Sequence, residues 1–236
     1  MNIAIILAGG DGTRTGLVIP KQFVEIKGKP ILVYTLERFE HHPLIDSILI
    51  VCKGGWEEKV QGFIKSFSFK KVVRIVRGGC TAIESIKQGI IALPFNADDI
   101  IVIHESVRPM VDDEMINDVI RKAKVKGAAM SATPLKEHIF LSTCSGSVSS
   151  YYPRENMYRS ASPHAYRYDV IDQALKNAQQ GGKALTTAFS STLIIDTGGQ
   201  IALSHGSDYN MKITTKQDIA LFSAYINQIY KKESWS

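Results

Sequence analysis

The sequence predicts an α/β fold, with a mostly parallel sheet covered by helices on both faces in a three-layer sandwich. Short β-branched runs alternate with amphipathic stretches over the first 135 residues. The strand-like runs are almost continuously apolar, which is typical of parallel strands buried on both faces. We expect residues 1–236 to form a single domain, because a chain of this length buries about 70% of its unfolded surface without disulfides or structural metals.

The predicted elements alternate regularly. Strands are predicted over 2–7, 47–52, 72–76, 100–104 and 128–133. Helices are predicted between them, over 30–40, 56–66, 81–93 and 112–126. Pro30 suits a first helical position, since its missing N–H costs nothing there, and Asp112 can cap the fourth helix. The apolar face of that helix consists of residues at spacings of three and four: Met115, Ile116, Val119, Ile120 and Ala123.

The alternation breaks after about residue 135. Two strand-like runs, 137–141 and 147–152, flank a Thr-Cys-Ser-Gly turn and predict a protruding β-arm over about 137–160. Two strands alone are only marginally stable. We therefore expect the arm to pack on a second copy of the chain in a homodimer. The core pattern returns with a helix over 168–179, a strand over 200–205 and a last helix over 216–230.

Composition excludes several classes of protein. No apolar run reaches the roughly 18 residues that a membrane span needs, and the apolar N-terminus has no basic region, so it predicts a strand and a cytoplasmic protein. Cys52, Cys80 and Cys144 fit no disulfide or zinc pattern, and we expect each to be a reduced core residue. The net charge of +5 suits an anionic small molecule. It also suits a nucleic acid, but two glycine loops in an α/β layout are unnecessary for that role.

The first candidate site is the glycine-rich loop over 7–16, directly after the first strand. Ligands bind at this edge of an α/β sheet, and glycines let backbone N–H groups approach an anion closely. The spacing matches neither a Walker loop nor a dinucleotide fingerprint. Arg14 and Lys21 place two cations beside the loop, where they can neutralise a triphosphate. The alternative is a plain turn with two surface cations.

Three further segments carry candidate chemistry. Glu105, at the end of a strand, can hold Mg²⁺ against phosphate oxygens, and Arg108 can bind a second phosphate; a structural ion pair is the alternative. Lys212 can reach a phosphate or be a surface lysine. In the junction over 78–85, backbone N–H groups and the Ser85 hydroxyl can read a base edge; the junction can also cap a helix, and the two roles are compatible.

The order of these segments resembles that of the cytidylyltransferases which activate small polyol phosphates with CTP. These are the methylerythritol-phosphate and ribitol-5-phosphate cytidylyltransferases. The most specific matches are LAGGDGTR at 7–14, PKQF at 20–23, GKPIL at 28–32, GG at 78–79, VRP at 107–109 and NMKITTKQD at 210–218. The segment 152–158 looks more like the ribitol-phosphate branch. The resemblance implies a Rossmann-like nucleotidyltransferase fold, related to the glycosyltransferase-A fold, and a homodimer joined by the arm.

The resemblance also implies a role for individual residues. The nucleotide is bound by Leu7, Ala8, Gly9, Gly10, Gly12, Gly79 and Ser85. The reacting phosphate is stabilised by Arg14, Lys21 and Lys212. The acceptor is bound by Arg108, His138 and Arg154, with Arg154 reaching the neighbouring subunit. Magnesium is held by Glu105 and Asp208.

Six residues, at four places in the chain, depart from the family pattern. The family has Asp where Glu105 stands and Arg where Ala82 stands. The family's Asp-Thr pair is replaced by Glu137-His138 in this chain, and its Thr-Pro-Gln segment is replaced by Ser-Pro-His at 162–164. Because three of the changes lie on the acceptor side, nucleotidyl transfer is the firmer prediction and the acceptor is the open question.

We therefore expect an enzyme that transfers CMP from CTP to a ribitol-5-phosphate-like polyol phosphate. The products are a CDP-alcohol, for capsule or teichoic-acid synthesis, and pyrophosphate. The alternatives are a 2-C-methyl-D-erythritol 4-phosphate cytidylyltransferase, a relative that uses another nucleotide or acceptor, and a nucleotide-binding subunit without activity.

Overall fold

The computed structural model describes residues 1–10, 19–143, 146–180 and 189–233. The strands among these residues are β1 (Asn2–Ala8), β2 (Glu25–Ile26), β3 (Lys29–Pro30), β4 (Ser47–Cys52), β5 (Val72–Arg77), β6 (Ile100–Glu105), β7 (Ala128–Pro134), β8 (Ile139–Ser142), β9 (Val148–Tyr152), β10 (Tyr158–Arg167) and β11 (Ala202–His205). The helices are α1 (Ile31–Glu40), α2 (Glu57–Ser66), α3 (Ala82–Ile91), α4 (Asp113–Lys126), α5 (Tyr168–Gln180), α6 (Ser190–Asp196) and α7 (Lys216–Glu233).

The main sheet has the strand order β11-β7-β10-β6-β1-β4-β5. Every neighbouring pair is parallel except those of β10, which runs antiparallel to both β6 and β7. This confirms the prediction of an α/β fold with a mostly parallel sheet. Leu7 lies opposite Glu105 in the β1–β6 register, so the glycine loop after β1 begins beside that carboxylate.

Strand β10 was not predicted from the sequence, although it lies in the middle of the sheet. Its run contains Pro163, and proline is confined to edge strands and bulges because it cannot donate to the ladder. The β7–β10 register shifts between Ala161 and His164, so the proline occupies an irregular stretch. Helix α6 and the short β2–β3 hairpin were also missed, whereas the predicted elements begin and end within three residues of the observed ones.

Hydrophobic residues fill both faces of the sheet. One face packs against α1, α2 and α4, and the other against α3, α5 and α6. The predicted apolar face of α4 is fully buried. Asp112 caps that helix, because its Oδ1 accepts a hydrogen bond of 2.8 Å from the Met115 N–H. Pro30 has extended backbone and immediately precedes α1, so it is not the first helical residue.

Residues 158–160 of the predicted arm belong to β10 of the main sheet. The rest of the predicted arm contains β8 and β9, which pair with each other in a separate two-stranded sheet. Its apolar side chains are exposed: Phe140, Leu141, Val148, Tyr151 and Tyr152. None of the helices in the described ranges is long and apolar enough to cross a membrane. Cys52 is buried, but Cys80 is exposed at the start of α3, so its prediction as a core residue was wrong; Cys144 lies outside the described residues.

Candidate active site

A cleft of about 430 Å³ opens where the loops after β1, β5 and β6 meet. The carboxyl ends of parallel strands lie at one edge of a sheet, which is why segments far apart in sequence converge here. Ala8 is buried at the end of β1, while Gly12 and Arg14 lie outside the described residues. Eight of the predicted site residues line this cleft: Leu7, Gly9, Gly10, Lys21, Gly79, Ser85, Glu105 and Lys212.

Gln22 anchors the start of the glycine loop, a role that the sequence interpretation missed. Its buried amide nitrogen donates to the carbonyl oxygens of Ala8, at 2.8 Å, and Gly10, at 3.0 Å. The neighbouring Lys21 is 7% exposed and lines the cleft. Phe23 stacks on the Trp56 ring, with centroids 4.4 Å apart. The segment therefore holds a buried cation beside the loop, supported by the hydrogen bonds of Gln22 and the packing of Phe23.

Glu105 lies between two cations. Its Oε1 contacts the Lys212 ammonium, and its Oε2 accepts a 2.6 Å hydrogen bond from the Arg108 Nε–H. Burial alone would raise the pKa of Glu105. The charges of Arg108 and Lys212 outweigh that cost and lower the pKa to about 2. The carboxylate is therefore ionised at neutral pH, and it fixes Lys212, which lines the cleft, and Arg108, which lies three residues further along the chain.

A buried network positions the Arg108 turn. Arg108 donates from Nη1 to the Asn210 carbonyl oxygen at 2.8 Å, and Asn210 donates from Nδ2 to the Ser162 carbonyl oxygen at 2.6 Å. The fully buried His104 lies with Nε2 at 3.0 Å from the Arg108 carbonyl oxygen. Burial lowers the pKa of His104 to about 3, so the ring is neutral, and Nε2 must carry the proton that this carbonyl accepts. His104 and Asn210 are positioning residues that the sequence interpretation did not single out.

The second glycine loop is a helix cap. Thr81 and Glu84 form a capping box at the start of α3. The Gly79 N–H donates to Ser85 Oγ at 3.1 Å, and the N–H groups of Cys80 and Thr81 both donate to Glu84 Oε2. These three N–H groups are therefore hydrogen-bonded within the protein, which confirms the helix cap, and their role in reading a base stays a prediction. Ser85 Oγ donates to the Thr81 carbonyl oxygen, so it retains an acceptor lone pair facing the cleft.

A second cavity of about 220 Å³ adjoins the first, and Lys212 lines both. Its other polar walls include Arg108, Arg159, Ser160, Asp208 and Asn210. Arg159 was not a predicted site residue, because it lies on the unpredicted strand β10.

Asp208 has different partners from those of Glu105. Its Oδ1 accepts a 2.7 Å hydrogen bond from Arg159 Nη2, and its Oδ2 contacts the Lys136 ammonium. In the part of the chain that the structure describes, no three His, Cys, Asp or Glu side chains lie close enough to hold a metal ion. Glu105 and Asp208 thus bind different cations in this structure, and their predicted role as magnesium ligands stays a prediction.

His138 and Arg154 lie on the arm and line neither cavity. The His138 ring is 6.4 Å from the Phe140 ring, and Arg154 Nη1 donates to the Lys136 carbonyl oxygen at 2.8 Å. A single chain thus does not bring these two residues together with Arg108. Their acceptor-binding role stays a prediction that depends on the arm of a second copy.

The low pKa of Glu105 predicts an acid-dependent loss of stability. A carboxyl group whose pKa is lowered by folding stabilises the fold at every pH above the pKa it has in the unfolded chain, near 4.5. This contribution disappears as the pH falls towards the pKa of the folded protein, about 2. We expect Glu105→Gln to unfold more easily than wild type at pH 7, with a difference that shrinks between pH 5 and pH 2. Urea denaturation across this range measures it, and the exposed Glu114→Gln is the control. A difference that stays constant with pH would contradict the assigned ion pairs.

The fold and the cleft together define the class of protein. A glycine loop at the carboxyl edge of a parallel sheet, with fixed cations beside it and a second polar cavity adjoining it, characterises the chain as a nucleotidyltransferase. A family model described as IspD, 2-C-methyl-D-erythritol 4-phosphate cytidylyltransferase, matches residues 2–228. The chain belongs to this family of cytidylyltransferases, which confirms the enzyme class predicted from the sequence.

Individual relatives fall into both predicted branches. The chain is 40% identical over 231 residues to a ribitol-5-phosphate cytidylyltransferase of Lacticaseibacillus paracasei, covering 97% of this chain and 99% of the relative. It is 33% identical over 229 residues to a 2-C-methyl-D-erythritol 4-phosphate cytidylyltransferase of Clostridium novyi, covering 97% of each. The crystal structure of 4-diphosphocytidyl-2C-methyl-D-erythritol synthase from Anaerococcus prevotii has the same fold, with a TM-score of 0.81 at 24% identity over 96% of this chain and 98% of that one.

Proposed function

We propose that the protein transfers CMP from CTP to ribitol 5-phosphate, giving CDP-ribitol and pyrophosphate. The observation that carries the proposal is the position of Lys212, which lines both the cleft at the glycine loop and the adjoining polar cavity. Two substrates that occupy these cavities meet at one fixed cation. The 40% identical relative with a ribitol-5-phosphate cytidylyltransferase name supports the choice of acceptor.

The reaction needs charge stabilisation more than proton transfer. A phosphate oxygen of the acceptor attacks the α-phosphorus of CTP in line, the new P–O bond forms, and the bond to pyrophosphate breaks. A phosphate monoester is already mostly dianionic at pH 7, so it needs no general base. Lys21 and Lys212 are fixed donors at the place where negative charge develops. Holding both substrates in two adjoining cavities supplies the proximity.

Magnesium is part of this proposal. Mg²⁺ is usually held by one or two carboxylates together with substrate phosphates, rather than by an all-protein cage. Glu105 fits that role, because it is ionised and lies at the cleft. Both of its oxygens contact cations, but a carboxylate oxygen keeps a further lone pair. The ion would neutralise phosphate charge when bound with the nucleotide.

The test of the function is a substrate panel. The protein is incubated with each of the four nucleoside triphosphates and with ribitol 5-phosphate, 2-C-methyl-D-erythritol 4-phosphate or a sugar phosphate, and pyrophosphate release is followed. We expect release with CTP and ribitol 5-phosphate, and its loss when Mg²⁺ is omitted. Turnover that requires another nucleotide, or no turnover with any acceptor, would overturn the proposal.

We also propose that the arm joins two copies of the chain. Among the residues that the structure describes, its two strands pair only with each other, and they expose five large apolar side chains. Such a surface gains stability by packing on a twofold partner. In this arrangement Arg154 would act at the acceptor cavity of the neighbouring copy, beside that copy's His138.

The dimer makes a measurable prediction. We expect light scattering to show a dimer for wild type and a monomer for Val148→Asp, because the substitution places a charge on the apolar arm. Val125→Asp is the matched control, since Val125 is an exposed valine on α4. A monomeric wild type at micromolar concentration, or a Val148→Asp variant that remains a dimer, would count against this interface.

A further inference from the structure

One ion-pair cluster in the second cavity has no role in the chemistry described above. The Asp208 carboxylate binds both Arg159 and Lys136, and Arg159 and Asp208 line the cavity. We propose that Arg159 and Asp208 bind the hydroxyl groups of the acceptor at the end remote from its phosphate, and so select acceptors by chain length. This inference rests on the proposed function.

The register of β10 separates Arg159 from the residue of the same strand that contacts Glu105. The Ser162 hydroxyl, on the same strand, accepts a 3.1 Å hydrogen bond from the Glu105 N–H. Arg159 precedes Ser162 by three positions, which corresponds to at most about 10 Å along the strand, because β10 is irregular between Ala161 and His164. An acceptor whose phosphate lies at Lys212 must therefore extend along the cavity to reach Arg159. That separation suits an extended five-carbon phosphate ester better than a three-carbon one.

The geometry of the cluster is built into the fold. A Cβ on Gly206 would lie 2.6 Å from the backbone of Ala132, so the loop that carries Asp208 presses directly against β7. Asp208 in turn holds Arg159 at 2.7 Å. The loop, β7 and β10 thus fix the two side chains relative to each other, although both remain accessible, at 48% and 57% exposed.

Both side chains retain capacity for a polyol. The hydrogen bond and charge of Lys136 lower the pKa of Asp208, so its carboxylate is ionised and accepts hydrogen bonds. Each of its oxygens has more than one lone pair, and Arg159 has five N–H donors, of which Asp208 takes one in this structure. Adjacent hydroxyl groups, which both donate and accept, suit such a carboxylate–guanidinium pair.

The charges of the cavity also suit a phosphorylated acceptor. The ion-pair clusters around Glu105 and Asp208 together contain four cations against two carboxylates: Arg108, Lys212, Lys136 and Arg159 against Glu105 and Asp208. The excess of two positive charges matches a phosphate monoester, which carries about −1.5 to −2 at pH 7. A phosphorylated polyol therefore complements the cavity in both charge and hydrogen bonding.

The experiment compares acceptors of decreasing length: ribitol 5-phosphate, erythritol 4-phosphate and glycerol 3-phosphate. For each, kcat/KM is measured with CTP, or the inhibition constant where a shorter phosphate binds without reacting. We expect Arg159→Gln and Asp208→Asn each to lower kcat/KM for ribitol 5-phosphate by about tenfold or more, as for the loss of a hydrogen bond to a charged group. The kcat/KM or inhibition constant of glycerol 3-phosphate and the KM for CTP should stay within about twofold of wild type. Exposed ion pairs typically contribute little to stability, so the substitutions should leave the fold intact.

Arg121→Gln is the matched control, because Arg121 is an exposed arginine paired with Asp118 on α4, away from both cavities. An equal loss with all three acceptors would show that Arg159 acts on the phosphate, and unchanged constants would show that it does not bind the acceptor; either result overturns the inference alone. A wild-type protein that uses none of the polyol phosphates would overturn the proposed function, and this inference with it.

Discussion

Replacing Lys21 with alanine is expected to lower kcat for CMP transfer by about 10²–10³, as for the loss of one preorganised charge donor. Lys21 is buried at the edge of the cleft on a segment held by Gln22 and Phe23. The Lys21 side chain is therefore already ordered before the reaction, so it loses little conformational entropy when it binds the transition state. Its ammonium charge matters most when negative charge develops on the phosphates, so the KM for CTP should change much less than kcat.

The measurement is steady-state pyrophosphate release with CTP and ribitol 5-phosphate. Lys29→Ala is a suitable control, because Lys29 lies nearby on β3 and pairs with Glu37 at 2.8 Å, outside the cleft. Near wild-type turnover in Lys21→Ala would remove the role that we assign to this side chain. From the family resemblance, Arg14→Ala should show a comparable loss.

Replacing Lys212 with alanine is expected to reduce kcat by a similar factor of about 10²–10³, for the same electrostatic reason. Lys212 differs from Lys21 because it lines both cavities and is held by Glu105. Its loss should therefore weaken the binding of the acceptor as well as slow the chemical step. We expect the acceptor KM to rise while the KM for CTP changes less.

Lys216→Ala is the control for this prediction, since Lys216 is exposed at the start of α7. Separate titrations of CTP and ribitol 5-phosphate distinguish the two binding effects. A Lys212→Ala variant with unchanged kcat and unchanged acceptor KM would contradict its position between the substrates.

Most of the fold could be predicted because its strands are continuously apolar and its helices have apolar residues at regular spacings. Strands such as β4 and β6 are buried along nearly their whole length, and α4 buries one clear face. Strand β10 has no such pattern, since its first residues are exposed and polar and it contains Pro163. Its place in the middle of the sheet is set by pairing with β6 and β7, which local sequence does not encode.

The part of the candidate site that could be predicted is the set of residues that follow the carboxyl ends of the strands. Lys21, Glu105 and Lys212 line one cleft, because their segments leave the sheet at the same edge. Side-chain partners were not predictable in the same way. Glu105 binds two cations, and Asp208 binds Arg159, which lies on β10, the strand that was not predicted from the sequence.

The choice of acceptor is the central claim, and a competition assay tests it most directly. Limiting CTP is incubated with the protein, Mg²⁺ and equal concentrations of ribitol 5-phosphate and 2-C-methyl-D-erythritol 4-phosphate, and the cytidine diphosphate products are separated by mass. The ratio of products equals the ratio of kcat/KM values for the two acceptors. We predict an excess of CDP-ribitol of about tenfold or more, since a cavity built to bind hydroxyl groups discriminates strongly between polyols. An equal or larger amount of the methylerythritol product would contradict the account.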